Sequence, residues 1–243
     1  QDLSTLARRF EEDPEAGQVR WIDLSPQQAR LVESPLDIRA MMTQQRAAAQ
    51  RAWIFTSATL GDDDALTWFS EAAGLEDATH LRVGSPFDYP TNARLYVPPK
   101  FPAPQDAPHN TMVGRAAAHC AAALGGRTFV LTTTLRAMKV VAEALESELG
   151  VLGSPLQVLV QGSAAKRALL ARFQEGDSVL VGSQSFWEGI DVPGDALQCV
   201  IIDKLPFPPP NDPLVEARVK QLKAQGRDAF NDYFVAEAAV SLK

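Results

Sequence analysis

From about residue 93 onward, short apolar runs alternate with stretches whose apolar residues recur at helical spacing. TMVGRAAAHCAAALGG (111–126) is alanine-rich, free of interior proline and closed by two glycines, which predicts a helix with a C-cap. RTFVLTTT (127–134) is β-branched and aromatic and predicts a strand. In LRAMKVVAEALESELG (135–150), Leu135, Met138, Ala142, Leu145 and Leu149 fall on one helical face. The alternation repeats. PLQVLVQ predicts a strand, AAKRALLARFQEG a helix with Ala165, Leu169 and Phe173 on one side, SVLVGS a strand, and LQCVIIDKL another. Runs such as Val179–Val181 and Cys199–Ile202 suit strands covered on both faces. Strand–helix alternation with short connections predicts an α/β fold with a doubly wound parallel sheet and helices on both faces.

The first eighty residues follow another pattern. DLSTLARRFEE and SPQQARLVESPLDIRAMMTQQRAAAQ read as helical or irregular, with one polar side. RAWIFTSATL (51–60) contains a short strand ending in Ser-Ala-Thr. DDDALTWFSEAAGL reads as a helix with aspartates at its N-terminus and Gly74 near its end. One strand with flanking helices is too little for a sheet of its own, so this region reads as the trailing edge of an earlier domain. The proline-rich ARLYVPP (93–99) belongs to the crossing, GSPFDYPTNARLYVPPKFPAPQDAP, into the next one. A start at Gln1, without a basic-then-apolar leader, reads as a cut from something longer.

Composition narrows the classes. Of the 243 residues, 46% are hydrophobic and 22% charged, which is ordinary for a globular protein. No apolar run approaches the roughly 18 residues of a membrane span. Cys120 and Cys199 sit in apolar patterns and read as buried, reduced thiols, which suggests a cytoplasmic location. Paired ligands for zinc or an iron–sulfur cluster are absent. His80, His109 and His119 are scattered and read as solvated or packing residues. A net charge of −7 argues against a globally basic nucleic-acid binder but leaves room for a local groove of neutral donors.

Several segments place small hydroxyl residues where strands give way to loops, the edge at which open α/β sheets bind ligands. Ser57 and Thr59 in TSAT either bond a phosphate-bound water or satisfy a turn. Thr132, Thr133 and Thr134 either seat a phosphate at a helix start or form an ordinary N-cap. In GSQSFWEGIDVPG (182–194), Ser183, Gln184 and Ser185 offer neutral donors. Gly189 permits a sharp turn or close backbone approach, and Glu188 and Asp191 flank it. Phe186 and Trp187 suit packing more than base stacking. Asp203 and Lys204 end the next strand, and the prolines that follow stiffen an arm leading to Asp212-Pro213, an N-cap followed by proline. No Walker-type phosphate loop, dinucleotide fingerprint or nucleophile elbow occurs.

Taken in order, these segments resemble the DinG/XPD-like superfamily-two DNA helicases, in particular the bacterial DinG and YoaA group. The resemblance rests on WIDL and SPLDI, on WIFTSATLGD at the third helicase motif, and on GSPFDYP at the crossing. It continues with FVLTTT at the fourth motif and VLVGSQSFWEGIDVPGDALQCVIIDKLPFPPPNDPL at the fifth and beyond. It covers nearly the whole chain and implies two RecA-like domains facing each other across ATP, with single-stranded DNA running over both. Residues 1–84 would be the C-terminal part of the first domain and 85–243 the second, truncated before the sixth motif. Ser57, Ala58 and Thr59 would couple hydrolysis to DNA movement. Glu188, Gly189 and Asp191 would face ATP, and Thr132, Thr133, Gln184 and Ser185 the DNA backbone. The family's activity is ATP-dependent 5′-to-3′ unwinding. Its ATP and Mg²⁺ ligands lie chiefly in segments outside these residues, as does the 4Fe–4S cluster that many members carry. Residues 1–243 alone are therefore expected not to turn over ATP, since phosphoryl transfer depends on those charges. The alternative is a degenerate RecA-like binding module without motor activity. No protein partner is deducible.

Overall fold

The computed structural model describes residues 3–15, 17–48, 51–61, 63–187 and 189–242. The chain divides into two compact units: residues 89–206, and residues 1–88 together with 207–243.

In the unit formed by 89–206, α4 (Tyr89–Asn92) is a single turn and α5 (His109–Leu124) the first full helix. Then come β3 (Thr128–Leu131), α6 (Leu135–Val151), β4 (Gln157–Val160), α7 (Lys166–Gln174), β5 (Ser178–Gly182) and β6 (Cys199–Ile202). Its sheet has the order β4-β5-β3-β6, and every pairing is parallel. Alternate side chains on the strands serve opposite faces. Val130, Val179 and Val181 pack with Val113, Ala117 and Ala121 of α5 and with Met138, Val141 and Leu145 of α6. On the other face Phe129, Leu131 and Leu180 pack with Leu169 and Phe173 of α7 and with Phe186. Both faces are thus covered, which is why β3 and β5 are buried along their whole length. The predicted α/β parallel sheet, in its RecA-like form, is the fold observed.

Three details depart from the pattern. Leu135, assigned to the buried face of α6, is 57% exposed. It opens the helix, beyond the layer that α5 covers. β6 is not covered on both sides: it is an edge strand, and Val200 and Ile202 are substantially exposed. The run ARLYVPP forms no strand, and Leu95, Tyr96 and Val97 are exposed.

The second unit begins with α1 (Leu3–Arg8), followed by β1 (Gln18–Leu24) and β2 (Ala29–Pro35). These strands form an antiparallel hairpin, Gln18 opposite Pro35 and Leu24 opposite Ala29. The expectation of helical or irregular structure here is corrected by this hairpin. Its turn closes through Ser25 N–H donating to Gln28 O (2.9 Å) and Gln28 N–H donating to Ser25 Oγ (3.1 Å). Conversely, the strand expected within 51–60 is absent from the described residues. No ladder partner is there to satisfy it, Ile54 is 86% exposed, and Trp53 stacks on Phe55 instead.

α2 (Arg39–Ala47) and α3 (Thr67–Ala73) pack together, and Arg39 donates to Glu71 O at 3.1 Å. α3 starts later than the aspartate run suggested. Asp63 nevertheless receives the Thr67 N–H at 2.8 Å, and Gly74 caps the other end in the left-handed region. The Thr67 bonds hold the Asp63 carboxyl below its usual range. α8 (Pro213–Ala224) has Asp212 as N-cap, accepting from Leu214 N–H (2.8 Å) and Val215 N–H (3.2 Å), as the Asp-Pro pair predicted. It packs on β1, and Arg218 hydrogen-bonds Leu36 O. A π-helical turn (Phe230–Val235) leads into α9 (Ala236–Leu242). No helix among the described residues is long and apolar enough to cross a membrane.

Candidate functional site

In the 89–206 unit, parallel strands deliver four loop starts to one edge of the sheet. Gln161 follows β4, Ser183 follows β5, Thr132 follows β3, and Asp203 follows β6. Side chains tie these loops to one another. Ser183 N–H donates to Gln161 Oε1 at 2.7 Å, and Trp187 Nε1 donates to Thr132 O at 3.2 Å. Thr133 N–H and Lys204 N–H both donate to Asp203 Oδ1, at 3.1 and 2.8 Å.

Asp203 is the buried charge of this edge. Its side chain is fully enclosed, Oδ2 has no hydrogen-bond partner, and Lys204 Nζ stands 3.9 Å away. Burial pushes its carboxyl up, opposed by the Lys204 charge and the two backbone donors. On its far side, His109 bridges two carbonyls, Pro102 O at 2.8 Å and Asp203 O at 2.9 Å, and meets the Phe101 ring edge-on. The expected packing role fits His109, which is buried.

The residues assigned to DNA differ in what they present. Thr132 is buried, with its hydroxyl directed to Gly182 O (3.2 Å) and Thr134 O (3.3 Å). It holds β3 to β5. Thr133 is half-buried, and its hydroxyl has no partner. Ser185 is exposed, and its carbonyl accepts from Lys166 Nζ at 2.5 Å. Gln184 lies with Ser185 and Phe186 in a 3₁₀ turn. Phe186 is buried and Trp187 packs beside it, in agreement with the packing assignment. Thr134 caps α6, receiving Ala137 N–H at 3.1 Å.

Of the residues assigned to ATP, Glu188 lies outside the described residues. Gly189 has φ +66°, with nothing within 4 Å of where a Cβ would project, and Asp191 is exposed. Ser57, Ala58 and Thr59 belong to the other unit. There Thr59 N–H donates to Ser57 Oγ at 3.1 Å, and the two hydroxyl oxygens are 3.0 Å apart.

Gln161, Lys166 and His109 were not singled out for this edge from sequence. Gln161 carried a faint signal, a polar residue directly after an apolar strand. His109 carried none, because its partner is 94 residues away. Both cysteines are free thiols; Cys120 is exposed and Cys199 half-buried, against the expectation that both are buried. Two thiols do not make a four-thiolate cluster site, and no group of three or more His, Cys, Asp and Glu among the described residues could hold a metal ion.

Open parallel sheets bind their ligands at the edge formed by the C-terminal ends of the strands, where these residues stand. The chain belongs to the helicase C-terminal domain family, which it matches over residues 118–243. It is 39% identical over its full length to the ATP-dependent DNA helicase YoaA of Haemophilus influenzae. Identity is 35% to the YoaA of Escherichia coli over 98% of the chain, and 32% to the ATP-dependent helicase DinG of Mycobacterium tuberculosis over 94%. The chain spans 37% of the two YoaA proteins and 35% of that DinG. The resemblance to the DinG and YoaA group is thereby borne out.

Proposed function

We propose that this chain is part of an ATP-dependent 5′-to-3′ DNA helicase of the cytoplasm that acts on single-stranded or forked DNA in repair or replication. The observation that carries the reading is the cross-tied edge formed by the ends of β3, β5 and β6. There Asp203 holds the Thr133 and Lys204 N–H groups, and Gln161 holds the Ser183 N–H, independently of any ligand. Loops held in this way need little reorganisation at the moment a ligand binds.

In this reading residues 85–243 belong to the second motor domain and residues 1–84 to the first. Gly189 leaves open space for a nucleotide, and the exposed carboxylate of Asp191 suits a ribose hydroxyl or a water. ATP supplies the phosphoryl chemistry when bound. The residues of this chain orient it and pass its presence along the β5 loop. Ser185, the exposed member of the DNA set, contacts the DNA backbone together with Thr133 and Gln184, while Thr132 keeps their loops in register. Ser57 and Thr59, already bonded to each other, couple the two events. Mg²⁺ and an iron–sulfur cluster, where the whole protein has them, are held by other residues.

Strand displacement by the full-length protein tests the motor. Forks with a 5′ tail should be unwound with ATP and forks with a 3′ tail should not. Binding by the present chain is tested by fluorescence anisotropy with a labelled single strand at two salt concentrations. Phosphate contacts predict weaker binding at the higher salt. Unwinding without ATP dependence would remove the motor reading. Salt-sensitive binding with no unwinding by the whole protein would favour a binding module instead.

A further inference from the structure

We propose that Cys120 and Cys199 are a peroxide-responsive dithiol that closes to an intrachain disulfide, stapling α5 to the edge strand β6. The inference stands apart from the helicase reading and rests on how these two elements lie. α5 runs antiparallel to β6. At the start of the helix His109 Nε2 is hydrogen-bonded to Asp203 O just past the strand's end, at 2.9 Å. From His109 to Cys120 the helix advances about 16 Å at its usual rise. From Asp203 back to Cys199 the strand covers about 13 Å. Two rods pinned at one end and of nearly matched length bring the two cysteines level at the other. α5 and β6 are in contact, and the Cys199 thiol, pushed up mainly by burial, is pushed up also by the neighbouring Cys120 thiol.

The two thiols are unequal. Cys120 is exposed and Cys199 half-buried, and burial pushes the Cys199 thiol up. A purely packing pair of cysteines would bury both. Exposure makes Cys120 the group that meets an oxidant first. Its sulfur attacks the peroxide O–O bond, giving a sulfenic acid and one water. The Cys199 sulfur then displaces the sulfenic oxygen, which leaves as a second water. Two thiols and one hydrogen peroxide thus become one disulfide and two waters, with sulfur oxidised and peroxide reduced. The bond holds the end of β6 opposite the His109 anchor. The strand it secures has a single ladder neighbour, β3, among the described residues.

The experiment treats the chain with hydrogen peroxide, alkylates free thiols under denaturing conditions and maps the peptides. The expected product joins the Cys120 and Cys199 peptides, lighter by two hydrogens, within chains that remain single. Cys199→Ser should leave a Cys120 sulfenic acid that dimedone traps, and Cys120→Ser should leave Cys199 fully alkylatable at the same dose. Cys199→Ala replaces the serine variant if circular dichroism shows that serine fails to fold. Oxidation should slow hydrogen exchange at the Val200–Ile202 amides in the unmodified sequence and leave Cys120→Ser unchanged. Full alkylation of both cysteines after peroxide, or linkage of Cys120 to a second chain, would overturn the proposal.

Discussion

The two compact units are held together in different ways. The 89–206 unit has a core on each face of its sheet, with Phe173, Leu145, Leu180 and the valines of β3 and β5 all but excluded from solvent. In the other unit the buried apolar set among the described residues is small: Ala73, Leu75, Val215, Leu222, Ala229 and Ala238. Polar ties are prominent there instead, such as Arg9 to Glu33 at 2.9 Å, Arg39 to Glu71 O and Arg218 to Leu36 O. Apolar burial is worth about 25 cal/mol per Å², whereas exposed ion pairs contribute about 0–1 kcal/mol each. Resistance to unfolding should therefore be concentrated in the sheet.

Truncating the second core face puts that contrast under most strain. Phe173→Ala should cost about 3–5 kcal/mol in urea unfolding followed by hydrogen exchange of β3 and β5. Equal loss of protection in β1 and β2 would mean that the units unfold as one body, and the contrast would fail. Next comes the α5–α6 seam. A Cβ on Gly114 would sit 2.5 Å from Val141 O and 2.8 Å from Ala144 Cβ. Gly114→Ala should destabilise the sheet unit by about 1–3 kcal/mol through overpacking, seen as an earlier urea midpoint.

In the other unit the helix cap is the sharper probe. Asp212→Ala removes the acceptor for two N–H groups of α8 and should cost about 1 kcal/mol, read from exchange of the α8 amides. A loss as large as that of Phe173→Ala would show that α8 anchors far more than its own turn.

The last effect is a slope rather than a size. The native carboxyl of Asp203 is raised above 3.8, so the folded chain holds a proton that the unfolded chain has released. Its contribution is favourable below that value and is lost as pH rises through the native one. Asp203→Asn removes the titration. The variant should gain stability relative to the unmodified chain as pH climbs through that window, measured as the difference between urea midpoints at several pH values. A constant difference across pH would show that Asp203 does not titrate there.

These contrasts also explain what could be read in advance. Strands β3 and β5 were legible because burial on both faces leaves an unbroken apolar run, and α6 because it repeats its apolar face over several turns. The β1–β2 hairpin was not, since Arg20, Asp23, Arg30 and Glu33 interrupt its alternation and its turn carries no glycine. Positions at the strand ends could be inferred from the order of the segments, but their bonding could not. Whether the Thr132 hydroxyl faced a ligand or Gly182 O depended on a contact across 50 residues. The same holds for Cys120, whose helix pattern alone did not say which side met solvent.

One feature gives the β5 loop a mechanical character. A Cβ on Gly182 would fall within 2.8–3.1 Å of the Phe186 side chain, so that ring presses on the last residue of the strand. The ring also belongs to the core that α7 covers, and Lys166 Nζ lies 5.3 Å from its centroid. Ser185 therefore sits on a short crank whose axle is embedded in the protein interior. A displacement of that tip would bear on β5 and α7 through the Phe186 ring.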